Sequence, residues 1–278
     1  MKKLTLSSGK AVLLFPLLLS SPALMAEVSG ADNNNVNNPI VQPQSDALSG
    51  GGRDQSLQFG DVLQGTNAND VLVGRLGIDV LFGSHGDDVL IGGTEDFNPL
   101  NRDRAFGEYG NDAFMWAPGD GSDYFNGGPG DKDVLMFGPL GEQVAGSADP
   151  VFAVQNDQNA DPLFMDAVTG LPVMNVSGSP GFCEVIDAST STAAADALAS
   201  LGLDHLIRFV IRGLADSFAA GSQSDDNGVR VTIHTKGVEY LVCTSRNGGQ
   251  VEVLDLTSTP PKAAQIGDLP AFVQSMIR

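Results

Sequence analysis

Three consecutive segments of nine residues decide the fold: QGTNANDVL at residues 64–72, VGRLGIDVL at residues 73–81 and FGSHGDDVL at residues 82–90. Glycine, aspartate and leucine return at the same places in every segment and keep that spacing into the flanking residues. The repeating positions are Gly65, Gly74, Gly83 and Gly92, Asp61, Asp70, Asp79 and Asp88, and Leu63, Leu72, Leu81 and Leu90. A unit this short cannot hold a helical hairpin, so the repeat predicts a turn and a short strand, stacked as a solenoid.

The end of each unit has the composition of a β-strand. Residues 71–73, 80–82 and 89–91 are β-branched or otherwise apolar, as is typical of strands. We expect the repeated leucines to point inward and stack on one another. Three later residues are expected to extend that core: Leu100, Phe106 and Phe114.

The same spacing returns more loosely after an insertion around Pro99. Asp103 resumes it, and later turns carry Asp112, Asp123 and Asp133. Between residues 61 and 137 the chain holds 14 acidic and four basic side chains. Two carboxylates ~4 Å apart repel by several kcal/mol at an effective dielectric constant of about 20. Stacked coils with this composition therefore predict a bound cation.

The ligand chemistry favours calcium. Carboxylates and free backbone carbonyls are hard oxygen ligands, and Ca²⁺ accepts about six to eight of them in a flexible geometry. Mg²⁺ requires a tighter octahedron, and Zn²⁺ favours histidine or cysteine, of which the turns offer only His85. An acidic, glycine-rich solenoid that binds no metal is the alternative.

The pattern Gly-x-x-Gly-x-Asp-x-Leu resembles the haemolysin-type, or RTX, nonapeptide repeat. The resemblance covers residues 57–138 and implies a parallel β-roll whose turns bind calcium. It also implies that each ion lies between turns on one edge, two repeats apart, which pairs Asp61 with Asp79 and Asp70 with Asp88. The implied ligands, through carboxylates or turn carbonyls, are Asp61, Asp70, Gly74, Asp79, Gly83, Asp88, Gly92, Asp103, Asp112, Asp123 and Asp133.

The sequence departs from the family pattern in its turns and in its export signal. Most units keep one of the two leading glycines, and Arg75 and Ile78 occupy turn positions, which implies fewer or weaker sites. Members of the family usually leave the cell through a C-terminal signal, whereas this chain has an N-terminal one. The family's export route is therefore not expected here.

Residues 1–26 predict a secretory signal peptide. Lys2 and Lys3 precede a short apolar run interrupted by Pro16, and cleavage is expected near Ala26. An uncleaved anchor is the alternative, although a spanning helix needs about 20 apolar residues. Residues 27–56 are polar and rich in Asn, Pro and Gly, which predicts a flexible leader before the roll.

Residues 139–278 predict a mainly-β module, an antiparallel sheet with one or two helices. Residues 192–201 are alanine-rich and precede Gly202, which predicts a short helix, and residues 271–278 predict another. Alternating apolar residues predict strands at 206–212 and 229–234, and Asn247-Gly248 is typical of a hairpin. The expected fold class is mainly β, a short parallel roll followed by this module.

Two cysteines, Cys183 and Cys243, remain after the expected cleavage. An even pair in an exported protein predicts a disulfide. Two separate buried thiols are the alternative.

The composition limits the partners. The chain has 278 residues, 34 of them acidic and 15 basic, which gives a formal net charge of −19. Such a charge argues against nucleic acid or an anionic membrane surface as the main partner. No stretch after the signal peptide is apolar enough to predict membrane insertion. Calcium ions are the expected ligands.

No catalytic constellation is recognisable in the sequence. The three histidines are scattered, at positions 85, 205 and 234, and no His-Glu-x-x-His pair is present. We therefore expect a secreted calcium-binding protein with a structural or adhesive role, and a partner in the extracellular matrix or on the cell surface. A secreted hydrolase with its active site in residues 139–278 is the alternative, as is a periplasmic location.

Overall fold

The computed structural model describes residues 26–29 and 62–74, 78–93, 102–129, 132–152, 163–212 and 230–278. Residues 26–29 and 230 are described by their backbone alone. Residues 1–25 of the predicted signal peptide and residues 30–56 of the predicted leader lie outside the described residues, so both stay predictions. Asp61 and Leu100 also lie outside them.

Nine short strands build the first half of the molecule: β1 (Ala26–Ser29), β2 (Val62–Gln64), β3 (Asp70–Val73), β4 (Val80–His85), β5 (Val89–Ile91), β6 (Arg104–Tyr109), β7 (Ala113–Trp116), β8 (Tyr124–Asn126) and β9 (Val134–Phe137). The odd-numbered strands pair in parallel in one sheet, and the even-numbered strands pair in parallel in another. The chain therefore alternates between two facing sheets, as a parallel β-roll does.

The second half adds eight strands and two helices. The strands are β10 (Gly141–Glu142), β11 (Val151–Phe152), β12 (Gly181–Ile186), β13 (His205–Ile211), β14 (Arg230–Lys236), β15 (Tyr240–Thr244), β16 (Val251–Asp255) and β17 (Lys262–Ala264), and the helices are α1 (Thr192–Leu201) and α2 (Ala271–Met276). A 3₁₀ turn spans Ile266–Asp268. Antiparallel pairs dominate this half, which confirms the predicted fold class.

The two sheets of the roll continue into the second half. The first sheet has the order β1-β3-β5-β7-β9-β15-β16-β17, and the second has the order β12-β13-β14-β8-β6-β4-β2. At the junctions, β14 pairs in parallel with β8, and β15 pairs in parallel with β9. One hydrophobic core therefore runs between the sheets from Leu63 to Leu256.

The repeated leucines form this core, as the sequence predicts. Leu63, Leu72, Leu81 and Leu90 are fully buried in one cluster, and Phe114 joins them. Phe106 does not join them, because its register partner is Phe82, which shares its outward-facing row. Its ring stacks on that of Phe82 with centroids 5.1 Å apart, and Ala105 takes the inward place.

Helix α1 forms where the sequence predicts it. Its N-cap is Ser191, whose side chain accepts a hydrogen bond from the backbone of Ala194, and its C-cap Gly202 has a φ of 68°. These are the residue types preferred at the two ends of a helix. Among the described helices, none has the length and apolar content needed to span a membrane.

A disulfide joins Cys183 on β12 to Cys243 on β15, with Cα atoms 6.1 Å apart. The two strands belong to different sheets. The bond therefore links the two sheets across the core and excludes the alternative of two free thiols.

Candidate metal centre

The turns of the roll place aspartates along two edges. The turns that lead from the second sheet to the first form one row, which we call the first edge. The turns that lead from the first sheet to the second form the other row, which we call the second edge. The first edge carries Asp70, Asp88, Asp112 and Asp133, and the second carries Asp79, Asp103 and Asp123. All seven residues are at most 1% exposed.

On each edge, the later aspartate carboxylates reach back to the preceding coil. On the first edge, Asp88 Oδ1 accepts the backbone N–H of Asp70 at 2.8 Å, and Asp112 Oδ1 accepts that of Asp88 at 2.9 Å. On the second edge, Asp103 Oδ1 accepts the backbone N–H of Asp79 at 2.7 Å. The structure thus brings Asp70 and Asp88 together. The expected pair of Asp61 and Asp79 lies partly outside the described residues.

The second carboxylate oxygen, Oδ2, of several of these aspartates has no hydrogen-bond partner in the described part of the chain. On the two edges, the Oδ2 atoms of Asp88, Asp103, Asp112 and Asp123 are buried and accept no hydrogen bond from the described residues. A buried charged oxygen without a partner is costly, and native structures rarely tolerate one. Asp70 differs, because its Oδ2 accepts the N–H of Thr66 at 2.5 Å and the hydroxyl at 2.8 Å. The carboxylate of Asp70 is thus satisfied within its own turn.

Glycines let the coils approach this closely. A Cβ atom on Gly107 would lie 2.2 Å from Asp112 Oδ2 and 2.6 Å from the carbonyl oxygen of Gly127. Carboxylate and carbonyl oxygens therefore crowd into the same small space, which is the donor set that Ca²⁺ prefers. The glycines predicted as carbonyl donors are crowded in the same way: Gly74, Gly83 and Gly92.

Burial makes these aspartates hard to ionise. Loss of hydration raises the pKa of Asp88 to about 7, that of Asp112 to about 8 and that of Asp123 to about 7. Burial, followed by the neighbouring carboxylates, holds the pKa of Asp103 well above its usual range. A nearby cation would remove this penalty, because it favours the charged form of each group.

The tightest cluster lies on the second edge. One carboxylate oxygen from each of Asp103, Asp120 and Asp123 lies within 4.8 Å of the other two. All three residues are at most 2% exposed, and each has an Oδ2 with no hydrogen-bond partner among the described residues. Unit charges 4.8 Å apart repel by roughly 3 kcal/mol at an effective dielectric constant of about 20. This cluster could hold a metal ion.

Sequence reasoning missed Asp120, which is outside the nonapeptide spacing. A compact turn positions it: its N–H donates to the carbonyl of Ala117 at 3.1 Å, and Trp116 Nε1 donates to the carbonyl of Gly121 at 3.0 Å. The string Gly-Asp-Gly-Ser-Asp at residues 119–123 could have indicated it. Two acids separated by Gly-Ser offer oxygen ligands from one short turn.

A cleft of about 480 Å³ opens beside this cluster. Asp103 and Asp123 contribute to its wall, together with Ser122 and the side chains of Arg104, Tyr124 and His234. The cleft lies on the outer face of the second sheet, where Arg104, Tyr124 and His234 share one row across β6, β8 and β14. The second edge is therefore reachable from solvent through this cleft.

Comparison with known proteins identifies the repeat region. Residues 64–96 match the family model of the RTX calcium-binding nonapeptide repeat, described as four copies. This part of the chain therefore consists of RTX repeats, as the sequence predicted. No curated protein and no solved structure matches the chain. The Asp103, Asp120 and Asp123 cluster lies beyond the matched residues.

Proposed function

We propose that this protein is exported and binds Ca²⁺ along both edges of the roll, so that the roll folds together with its ions. The observation that carries the proposal is the cluster of Asp103, Asp120 and Asp123, in which three buried carboxylates converge. Burial raises the pKa of all three groups, and the positive charge of Arg102 favours the charged form of Asp123 alone. RTX calcium-binding repeats precede it directly in the sequence. The remaining edge aspartates extend the same arrangement along the roll.

The donor set supports calcium over other divalent ions. The described ligand candidates are carboxylate and carbonyl oxygens, which are hard donors. Zn²⁺ would favour histidine or cysteine, and both cysteines are held in the disulfide. Mg²⁺ requires near-octahedral geometry, whereas Ca²⁺ accepts the irregular oxygen sets that turns of unequal length present.

Calcium binding with the affinity of ordinary extracellular modules is strong enough to control folding at millimolar calcium. Extracellular calcium modules bind with Kd values of ~10⁻⁴–10⁻³ M. At 10 mM calcium, a single site with a Kd of ~0.1 mM would add roughly 2.7 kcal/mol to the free energy of unfolding. Several such sites along one roll would convert an unstable stack of like charges into a stable one.

Export is supported by two features. Residues 1–26 have the pattern of a secretory signal peptide. The disulfide between Cys183 and Cys243 is of the kind that persists in oxidising compartments. The proposed role outside the cell is structural or adhesive, with a matrix or cell-surface component as partner. Fractionation of cells expressing the full chain tests this: mature protein in the medium is expected, and retention of the uncleaved chain in the membrane would contradict it.

The hydrolase alternative receives no specific support from the cleft found in the described part of the C-terminal half. A cleft of about 290 Å³ lies in the C-terminal half, against β16, β17 and the residues that flank them. Its lining residues include one carboxylate, Glu252, and no histidine or cysteine. Neither an acid pair nor a nucleophile with a base is present among them.

Isothermal titration of the chelator-treated mature protein tests calcium binding. We expect saturable binding of Ca²⁺ with little response to Mg²⁺ or Zn²⁺ at the same concentration. Absence of calcium binding up to a concentration 10-fold above the weakest Kd of extracellular modules, ~10⁻³ M, would refute the proposal.

A further inference from the structure

The C-terminal half contains a short segment whose sequence resembles one more unit of the nonapeptide repeat. Residues 237–241 are GVEYL, and residues 86–90 of the roll are GDDVL. Both have glycine first, an acid third and leucine fifth. About 100 residues separate the GVEYL segment from the last coil of the roll, so no local periodicity marks it.

The backbone places this segment directly on the last coil. Lys236 lies opposite Asn126 in the second sheet, and Leu241 lies opposite Leu135 in the first. Leu241 is fully buried in the same core as the repeated leucines. The turn between β14 and β15 therefore crosses the first edge in the same direction as the turn between β8 and β9.

The hydrogen bonds between these turns repeat those of the regular coils. The N–H of Tyr240 donates to the carbonyl of Asp133 at 3.0 Å, as the N–H of Val134 donates to the carbonyl of Asp112 at 2.8 Å. The N–H of Gly127 donates to the carbonyl of Lys236 at 3.0 Å. Its earlier counterpart is the bond from the Gly65 N–H to the Phe82 carbonyl, at 2.7 Å.

Glu239 occupies the place of the next edge aspartate. Its Oε2 accepts the backbone N–H of Asp133 at 2.9 Å. Asp133 Oδ1 accepts the N–H of Asp112 in the same way at 2.7 Å. The turn from Gly237 to Glu239 is four residues shorter than the turn from Gly127 to Asp133. The extra methylene of glutamate suits this shorter turn.

The glycine contacts continue in the same order. A Cβ atom on Gly107 would lie 2.6 Å from the carbonyl oxygen of Gly127, and one on Gly127 would lie 2.2 Å from that of Gly237. Gly127 would also meet Asp133 Oδ2 at 2.3 Å, as Gly107 meets Asp112 Oδ2 at 2.2 Å. The preceding coil has an oxygen-rich space that contains the buried Asp112 Oδ2, which has no hydrogen-bond partner among the described residues. A space with the same kinds of oxygen atom lies between Gly127 and Gly237.

We propose that residues 237–241 form the terminal coil of the roll and that Glu239 is a ligand of a divalent-cation site between this turn and the turn at residues 127–133. The inference rests on the proposed calcium function and extends it to a ligand about 100 residues from the roll. The intervening chain is then an insertion between two stacked coils. Calcium held at this site ties the C-terminal strands to the roll.

The second edge differs from the first at its C-terminal end, because the next strand there brings no acidic residue. There, β14 lies next to the turn that contains Asp123, and the N–H of His234 donates to the Asp123 carbonyl at 2.9 Å. Residues 230–234 contain no acid. On that edge the additional carboxylate comes from Asp120, within the roll itself. Only the first edge gains an acid from the C-terminal half among the described residues.

The test compares Glu239→Gln with Glu252→Gln in the full mature chain. Glutamine keeps a hydrogen-bond acceptor for Asp133 and removes the charge, and Glu252 is an exposed residue of β16 that provides the matched control. Bound calcium is counted by equilibrium dialysis, and amide hydrogen exchange is followed in β15 with calcium and with chelator. We expect Glu239→Gln to bind at least one ion fewer and to exchange faster in β15 when calcium is present, with Glu252→Gln unchanged.

An unchanged ion count together with unchanged exchange in Glu239→Gln would overturn the inference and leave the proposed function intact. Absence of calcium binding by the unsubstituted protein would overturn both. Should Glu239→Gln not fold, Glu239→Asp decides the question. It keeps the charge on a shorter side chain, so weaker calcium binding at one site is expected, and unaltered binding would contradict the inference.

Discussion

The backbone N–H of Asp103 donates to Asp123 Oδ1 at 2.8 Å, so that one acidic residue is anchored by the main chain of another. This contact satisfies one oxygen of Asp123 and fixes the spacing between two coils. It also holds the two carboxylates close together, in a place where both are at most 1% exposed. The same hydrogen bond therefore sets the spacing between the coils and brings two buried carboxylates close enough for a cation to stabilise them.

Asp120→Asn should have opposite effects with and without calcium. With calcium, the variant loses a ligand, so it binds one ion fewer and its melting temperature falls. Without calcium, at a pH high enough to ionise the cluster, the variant is more stable than the unsubstituted protein, because it removes a buried charge beside Asp103 and Asp123. Thermal unfolding in calcium and in chelator measures both effects.

The control is Asp196→Asn, on the exposed face of α1. Surface substitutions of this kind change the free energy of unfolding by less than about 0.5 kcal/mol. Destabilisation of Asp120→Asn by the same amount in calcium and in chelator would show that Asp120 has a purely structural role.

Calcium binding should release protons at neutral pH. Burial raises the pKa of Asp88 and Asp123 to about 7 and that of Asp112 to about 8. These values lie above the unfolded value near 3.8, so the calcium-free folded chain binds more protons than the unfolded chain. Its stability is therefore greatest at low pH and falls as the pH rises from about 4 to about 8.

Calcium reverses this trend, because the ions bind the ionised carboxylates and are lost on acidification. Calorimetric titration at pH 7 in buffers of different ionisation enthalpy measures the protons released per ion. Identical heats in all buffers would contradict the raised pKa values.

Gly107→Ala should destabilise the roll. The new methyl group would meet Asp112 Oδ2 and the Gly127 carbonyl, and overpacking of this kind costs about 1–3 kcal/mol. The control is Gly267→Ala, where a Cβ meets nothing within 4 Å and a gain of about 0.4–1 kcal/mol is expected. Chemical denaturation in calcium gives both values, and equal effects at the two sites would show that the coils are not as closely stacked as described.

Removal of the disulfide should destabilise both sheets together. Cys183 and Cys243 are 60 residues apart, and closing a loop of that length stabilises a protein by about 4 kcal/mol in the chain-entropy model. The double variant Cys183→Ser/Cys243→Ser should unfold at lower denaturant in the presence of calcium. An unchanged midpoint would mean that the bond contributes little to the folded state.

The repeat region was predictable because its signals are local. Nine-residue spacing specifies the turn, the strand and the inward leucine within one unit, so Leu63 through Leu90 could be placed without any tertiary information. The cap residues Ser191 and Gly202 likewise identify α1 from its own ends. Phe106 was placed wrongly because the prediction followed its apolar size and not its place in the repeat. The inward leucine follows the aspartate by two residues, and the residue two places after Asp103 is Ala105.

The remaining parts depend on contacts that sequence spacing does not encode. Asp120 meets Asp103 and Asp123 only because the turn after Trp116 folds back on itself. Glu239 meets Asp133 across 106 residues, and its repeat-like segment has no neighbouring copy to reveal it. Long-range pairing of this kind becomes visible only when the two sheets are seen to continue through both halves of the chain.

The most direct measurement of the central claim is thermal unfolding of the mature protein, followed by far-ultraviolet circular dichroism in 10 mM calcium and in EGTA. The ions are proposed to neutralise the stacked aspartates. Strand signal and melting temperature should therefore both rise with calcium, by an amount equivalent to at least about 2.7 kcal/mol for one site with a Kd of ~0.1 mM. Identical spectra and identical melting curves in the two solutions would contradict the account.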